Sequence, residues 1–566
     1  MRNRYLTLIA VLLGTVAFTT QEPEPANGIL YNQVGYINSE PKMLLVSPDV
    51  NSVRFINADG KEVLRVTPAP AKTWDASGTS VRKVDFSALT IPGAYTVLVN
   101  GSTNGPEITV NSKPYHKLLR SALKAFYLHR LGMPIEERYA GTWARLSAHP
   151  DTTVYVHSSA ADPGRPEGSV ISSPGGWYDA GDYNKYIVNS AITTYTLFKA
   201  LEDYPGLFRT LNLNIPESGK GGAPDILDEA LYNYRWMLTM QDPADGGVYH
   251  KLTNKNFDGM VMPDKATAAR YVVMKTTAAA LDLAAVAAHA SVMLKDYGQG
   301  YAPLVKESLE KAEKAWAWAK QHPTVYYRQP EDIKTGAYGD DKLQDEWFWA
   351  ASELYLATGK DEYADAIIRY YQKPHTPEWA IVHGLGFMSL LSRYDKLPEK
   401  ITRTGLRADF LAHVDRMVDL SVNAPFSVSI QKFAWGSNSY VANEGMIKLF
   451  AFQMTADPKY QRSALSDLDY LLGRNATGYC FVTGYGDKRV MHIHHRPSSA
   501  DGIAEPQPGY LSGGPNLDTF ADCPDDKTRS RTHPAVSFVD LECSYSTNEI
   551  AINWNAPLVY LAGAFD

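Results

Sequence analysis

Over residues of about 27 to 112 the chain alternates apolar and polar positions in short runs broken by turn residues. Phe55-Ile56-Asn57-Ala58-Asp59-Gly60-Lys61-Glu62-Val63 sets an Asp-Gly turn between two such runs, a hairpin signal. Pro92-Gly93 marks a second turn, after which Tyr95, Val97 and Val99 alternate. Several short strands at this spacing predict a small β-sandwich. No acid/base constellation stands out there, so a packing module and a separate sugar-binding role are both open readings.

After Lys113-Pro114 the apolar period lengthens to about 3.6. Leu118, Leu119, Ala122 and Phe126 line one helical face. Behind Pro224, a residue well placed where spare N–H groups need no partner, Ile226, Leu227, Ala230, Leu231, Tyr234 and Leu238 line another. Further helices are predicted at about 187–203, 270–293, 302–320, 343–357, 361–372, 378–391, 405–420, 438–454, 458–472 and 548–562. Roughly twelve helices paired as hairpins would close into an α/α barrel. Long Gly- and Pro-rich segments at about 141–185, 322–340 and 474–545 separate some of them. Loops that long in a compact domain usually carry function.

The 566 residues exceed one ordinary domain. Hydrophobic residues make up 45% and charged residues 21%, which predicts a globular core and no disordered chain. A net charge of −7 argues against a nucleic-acid partner, whose phosphates call for a basic face. Arg2 and Arg4 precede the apolar run Leu6 to Phe18, too short to span a bilayer, with small residues near Thr20; residues 1–20 read as an export signal. No later stretch reads as a membrane helix, so a periplasmic or secreted monomer is expected. Of Cys480, Cys523 and Cys543, only one pair can bridge, and Cys523–Cys543 is one candidate.

Carboxylates concentrate in two motifs far apart in the chain. Gly175-Gly176-Trp177-Tyr178-Asp179-Ala180-Gly181-Asp182-Tyr183 holds two aspartates three apart, after glycines that permit tight turns. Two close aspartates cannot both carry charge cheaply unless they share a water or a donor. A helix cap plus a surface acid is the plainer reading; Trp177, Tyr178, Tyr183 and Tyr186 favour a sugar-binding wall. Tyr545 to Pro557 holds Glu549 and Trp554, with Glu549 expected in the first turn of the last helix. A helix N-terminus favours the ionised carboxylate, so burial or a neighbouring acid such as Asp540 must raise its pKa for acid work. Arg489 to Pro497 clusters His492, His494 and His495 beside Arg496. Metal ligation, hydroxyl or carboxylate contacts, and packing are all open for it. One carboxylate to activate water and one carboxylic acid to protonate a leaving oxygen are what glycoside hydrolysis requires.

At these residues the chain resembles glycoside hydrolase family 9, the cellulase family of inverting enzymes, over nearly its whole length. Ile29-Leu30-Tyr31-Asn32-Gln33-Val34-Gly35-Tyr36 resembles the opening of the family's immunoglobulin-like domain, and the remainder its six-hairpin (α/α)6 barrel. The domains expected are an immunoglobulin-like sandwich over 27–112 and an all-α catalytic barrel over 115–566. The resemblance implies Asp182 as general base, Asp179 as its helper, Glu549 as general acid and His494 as the active-site histidine, with Asp540 inside the acid signature. It implies Arg496, Trp435, His250, Tyr178 and Trp554 as substrate contacts. Cys480 stands where the family prefers Ser, Thr or Val, and Ile493 where Pro is commoner. Some relatives carry a Cys/His zinc site before the base motif. Val154-Tyr155-Val156-His157-Ser158-Ser159 has no Cys, so zinc is not expected there. Calcium is common in the family, and Asp341, Asp345 and Glu346 could offer oxygens, or could simply start a helix. No cofactor is expected for the chemistry.

The expected activity is hydrolysis of β-1,4-glucan by inversion, with the two carboxylates roughly 6.5–9.5 Å apart. Cellulose derivatives, mixed-linkage glucan and xyloglucan share that backbone. An exo-acting β-glucosidase or exo-β-glucosaminidase is the alternative. A non-catalytic glucan-binding protein would have lost the carboxylates that are present here.

Overall fold

The structure is a computed structural model that describes residues 28–566. The expected export segment, 1–20, lies outside the described residues. Residues 29–111 form two sheets. One runs Ile29–Leu30, Met43–Val46, Thr79–Asp85, Lys72–Trp74; the other runs Tyr36–Ile37, Glu107–Asn111, Gly93–Val99, Val53–Asn57, Glu62–Val66. The hairpin at Asp59-Gly60 forms as its turn predicts, with Gly60 at φ 75°. Leu44, Val53, Phe55, Val84, Phe86 and Val97 close the space between the sheets, and Phe55 stacks on Phe86 at 4.9 Å.

The sandwich does not end at its own core. Gln33 N donates to Leu472 O at 2.9 Å and its side chain to Gly478 O at 2.7 Å. Asn32 donates to Tyr115 Oη at 3.0 Å and to the buried Asp469 at 2.8 Å. Trp74 packs on Phe426 and Phe433 of the helical domain.

Twelve longer helices build an (α/α)6 barrel. The inner ones are Ile187–Asp203, Thr277–Met293, Gln344–Thr358, His383–Leu391, Ser437–Thr455 and Ile552–Ala564, buried on nearly every face. The outer ones, such as Ala302–Gln321, bury one stripe only (Leu304, Ser308, Ala312, Ala315, Ala319), as a single protein-facing side demands. Inner neighbours pack closely around the ring, least so between His383–Leu391 and Ser437–Thr455. There Phe410 of the outer helix Leu406–Asn423 wedges in, contacting Phe387 and Phe450. Thr277–Tyr297 is long and apolar enough to cross a membrane; its alanines are apolar because protein surrounds it, with 94% of it buried.

Three helix starts differ from expectation, and each difference bears on the site. Tyr271–Val272 is a strand, so the helix expected from 270 begins at Thr277. The helix expected from 378 begins at His383. The last helix begins at Ile552, three residues after Glu549. Loop segments also pair into a five-stranded sheet in the order Val170–Ile171, Val154–Val156, Tyr271–Val272, Lys251–Thr253, Lys185–Tyr186. Strands this short show no alternation in sequence.

Candidate active site

The two acid motifs are joined through their backbones. Residues 549–551 run extended and bridge three other segments: Glu549 with His494, Ile550 with Ser512, Ala551 with Ala180. Ile552 N donates to Asp179 O at 2.8 Å, and Gly513 N to Glu549 O at 2.8 Å. This pairing is why 549–551 is not helical. Glu549 follows the one-turn helix Tyr545–Asn548, so a helix N-terminus does not favour its charge. Gly181 is required by close approach: a Cβ there would lie 2.1 Å from His494 O.

Asp182 and Glu549 line one cleft of about 680 Å³. Asp182 Oδ2 accepts from Asn184 Nδ2 at 2.5 Å and Tyr186 Oη at 2.9 Å. Its Oδ1 receives no hydrogen bond among the described residues. One oxygen is therefore locked and the other is free to take a proton from water. Asp179 is held by Asn189 Nδ2, 3.0 Å from each oxygen, and by Tyr338 Oη at 3.0 Å. Burial, then the Asp182 charge, push Asp179 up to about 8, against those hydrogen bonds. Its environment thus favours the neutral carboxyl.

Burial also holds Glu549 well above the usual carboxylate range, with Asp182 and Asp179 adding to it; Arg496 and the Gly181 N–H pull the other way. Asp540 does not supply this shift. Its oxygens accept from Met491 N (2.7 Å), His492 N (2.9 Å) and Asn548 Nδ2 (2.8 Å), which fastens the histidine segment to the acid motif. It holds other groups in place and does not line the cleft.

The three histidines separate. His492 is exposed. His495 is buried, stacked on His129 at 5.2 Å. Only His494 lies beside the acids. Its Nδ1 is 2.8 Å from Glu542 O, an acceptor, so Nδ1 carries the hydrogen and neutral Nε2 offers a lone pair. Burial pushes its pKa down, which favours that neutral form. Arg496 donates to Gly181 O at 2.6 Å and to Asp258 O at 2.9 Å, and so steadies the base loop.

Of the expected sugar contacts, Trp435 and Trp554 line the cleft; Trp435 is 43% exposed and packs on Tyr545 at 5.3 Å. Tyr178 does not line it. It is buried, with its hydroxyl 2.7 Å from His149 Nδ1, and Trp177 and Tyr183 are buried too. His250 is not available to substrate either: it is buried, with Nδ1 at 3.0 Å from Thr276 Oγ1 and Nε2 at 3.0 Å from Ala337 O. In the base motif a tight turn points most aromatics inward, and only Tyr186, beyond it, reaches the cleft. Phe257, Tyr338, Trp379 and Tyr440, which sequence reasoning did not single out, supply the rest of the aromatic wall. Tyr338 sits at φ 48°, a costly conformation for a bulky residue, and Asn189 lies inside a helix among other polar residues; neither bears a local motif.

Among the acids considered for calcium, Asp341 is exposed. Asp345 and Glu346 are buried with Asp282, beside the half-buried Asp340. Both oxygens of Asp282, Oδ2 of Asp340 and Oε2 of Glu346 have no hydrogen-bond partner among the described residues. Among the described residues no three His, Cys, Asp or Glu side chains, these included, are placed to hold a metal ion by themselves. Burial and mutual repulsion raise Asp282 and Glu346 well above the carboxylate range and Asp345 to about 6. Cys523 and Cys543 are bonded, closing a loop that contains Glu542; Cys480 is buried and free. Asp518 accepts from Trp435 N at 2.6 Å.

An α/α barrel whose aromatic cleft is lined by two carboxyl groups from distant segments is the arrangement of a glycoside hydrolase. The family model described as Glycosyl hydrolase family 9 matches residues 115–562, and the cellulase N-terminal ig-like domain matches 24–104; the chain belongs to glycoside hydrolase family 9. It is 40% identical to a xyloglucan-specific endo-β-1,4-glucanase of Bacteroides ovatus, across 100% of this chain and 98% of that protein. A solved Bacteroides ovatus family 9 structure superimposes with a TM-score of 0.88 at 40% identity, covering 95% of this chain and 98% of that one. A thermostable endoglucanase from Alicyclobacillus acidocaldarius, solved as a single mutant, gives 0.87 at 30% identity, covering 95% and 99%. The chain is a glycoside hydrolase of that family, and proteins named as endo-β-1,4-glucanases are among those it is similar to.

Proposed function

We propose that this enzyme cleaves β-1,4-glucan by single displacement, with Asp182 as general base, Asp179 as the protonated partner that holds the water, and Glu549 as general acid. The observation that carries this is the shared cleft, lined both by Asp182, whose Oδ1 is buried and unbonded, and by Glu549, whose carboxyl burial keeps protonated. Water gives its proton to Asp182 Oδ1 as its oxygen attacks the anomeric carbon, while Glu549 protonates the departing oxygen. The preformed charge arrangement costs no reorganisation at the moment of reaction. His494 Nε2 and Arg496 flank the acids, and Trp435 and Trp554 offer ring faces to sugar.

Proton NMR of the first-formed product reads the stereochemistry: an α-anomer is expected, and a β-anomer would overturn the single displacement. For the substrate, the 40% identity to a xyloglucan-specific enzyme makes xyloglucan the first glucan to test. Reducing ends and product sizes from xyloglucan, mixed-linkage glucan and carboxymethylcellulose distinguish the substrates. Release of single residues from chain ends would favour exo action instead. Export as a monomer to the periplasm or medium fits the Arg2/Arg4 leader pattern and the Cys523–Cys543 disulfide.

The chemistry takes no cofactor in this reading. Calcium is proposed as a structural ion at the Asp282, Asp340, Asp345, Glu346 cluster, an all-oxygen donor set with orphaned atoms that suits a hard cation completed by backbone and water. Calcium should raise Tm after EDTA treatment, by about 2.7 kcal/mol of stability at a hundredfold excess over Kd. In EDTA the sign is set by raised carboxyl pKa values: stability is full below about 4 and falls as pH rises through about 6, where Asp345 titrates. An unchanged Tm on adding calcium would leave these groups as carboxyls that keep their protons.

A further inference from the structure

The strand Lys251–Thr253 takes no part in the chemistry above, yet each of its polar side chains ends on a segment that carries a catalytic contact. Lys251 is fully buried, and its Nζ contacts Gln329 Oε1 at 3.1 Å, Thr335 Oγ1 at 3.0 Å and Gly336 O at 2.6 Å. Thr253 Oγ1 lies 2.6 Å from Thr335 Oγ1 and 3.0 Å from Asn184 Oδ1, and Asn184 is the residue that binds Asp182. In register, Lys251 pairs with Tyr186, whose hydroxyl also binds Asp182. Its Nζ lies 5.6 Å from the Tyr186 ring and 5.4 Å from that of Tyr327.

The segment so pinned, 335–338, ends in Tyr338. A Cβ on Gly336 would come 3.1 Å from Tyr186 Oη, so the strap lies tight on the base loop. Tyr338 packs edge-on against Tyr186 at 4.6 Å and holds Asp179 through its hydroxyl. It does so from φ 48°, a conformation that persists only where surrounding contacts over-determine it. Lys251 supplies two contacts to the strap, at Thr335 and Gly336, and also holds Gln329, which donates to Thr335 O; His250 adds one at Ala337 O, and Trp379 packs on Tyr338 at 5.2 Å.

We propose that Lys251 is a positioning residue for hydrolysis: it ties the 335–338 strap to the base loop, so that the Tyr338 hydroxyl clamps Asp179 in the orientation that holds the water. This rests on the assignment of Asp182 and Asp179 to the base side.

The test is a double-mutant cycle. Lys251→Met is expected to lower kcat on soluble glucan roughly ten- to a hundredfold with KM within about twofold, because a displaced base partner costs the transition state and not ground-state binding. Tyr338→Phe should fall in the same range. The double variant should be no worse than the poorer single, since both remove one clamp. Lys251→Arg, which restores a cation and donors, should recover part of kcat, and serves if the Met variant does not fold. Additive losses, or a Lys251→Met variant with wild-type kcat, would overturn the inference. Asp182→Asn separates the two failures: if it keeps activity the base assignment itself is wrong, and if it is inactive while the cycle is additive only the role of Lys251 is wrong.

Discussion

Glu549→Gln lowers kcat on unsubstituted glucan by roughly 10²- to 10⁴-fold, the usual worth of a general acid. The amide keeps the shape and the hydrogen bond from Gly181 but has no proton to give. The same variant should hydrolyse a cellooligosaccharide bearing a dinitrophenyl leaving group far closer to the wild-type rate, because that group departs as a stable anion. The wild-type pH profile should lose activity on its alkaline side as Glu549 gives up its proton, and burial places that limb above the ordinary glutamate range. In Glu549→Gln assayed on the activated substrate this contribution disappears. A variant impaired equally on both substrates would mean that Glu549 is not the acid.

Asp182→Asn gives the opposite pattern. With no group to take the water's proton, kcat should fall by roughly 10²- to 10⁴-fold on natural and activated substrates alike, since leaving-group help does nothing for attack. Asn can still accept from Asn184 and Tyr186 through its carbonyl oxygen, so Tm should shift little. Substrate binding should persist, and isothermal titration of the inactive variant with cellooligosaccharides measures it. Activity retained on the activated substrate alone would reassign Asp182 to the leaving-group side.

The acids are legible in the sequence because each sits in a dense local motif, and opposed carboxylates are what the reaction demands. The helical period and the Asp59-Gly60 hairpin are legible for similar reasons, since burial on one face imposes a repeat. What fails are inferences about direction. Tyr178 and His250 stand next to reactive segments in the chain, but a turn and a strand point them inward, where protein partners use up their polar atoms. The predicted last helix reaches too far back, to Glu549, because propensity does not register three backbone bridges to residues 180, 494 and 512. Tyr338 is invisible for a related reason: a tyrosine in a glycine-rich loop has no pattern, and its value comes from Asp179, 159 positions away.

Asn32 and Gln33 carry a practical warning for anyone wishing to shorten the gene. A protein begun at the first barrel helix would deprive Asp469 of its amide donor, leaving it Arg474, and would strip Leu472 O and Gly478 O of the donors that Gln33 supplies. The cut would also uncover the Phe426 and Phe433 rings that Trp74 covers, losing about 25 cal/mol for each Å² of apolar surface returned to water. The sandwich is better regarded as the missing wall of the enzyme than as an accessory, and trimming for expression is better begun elsewhere.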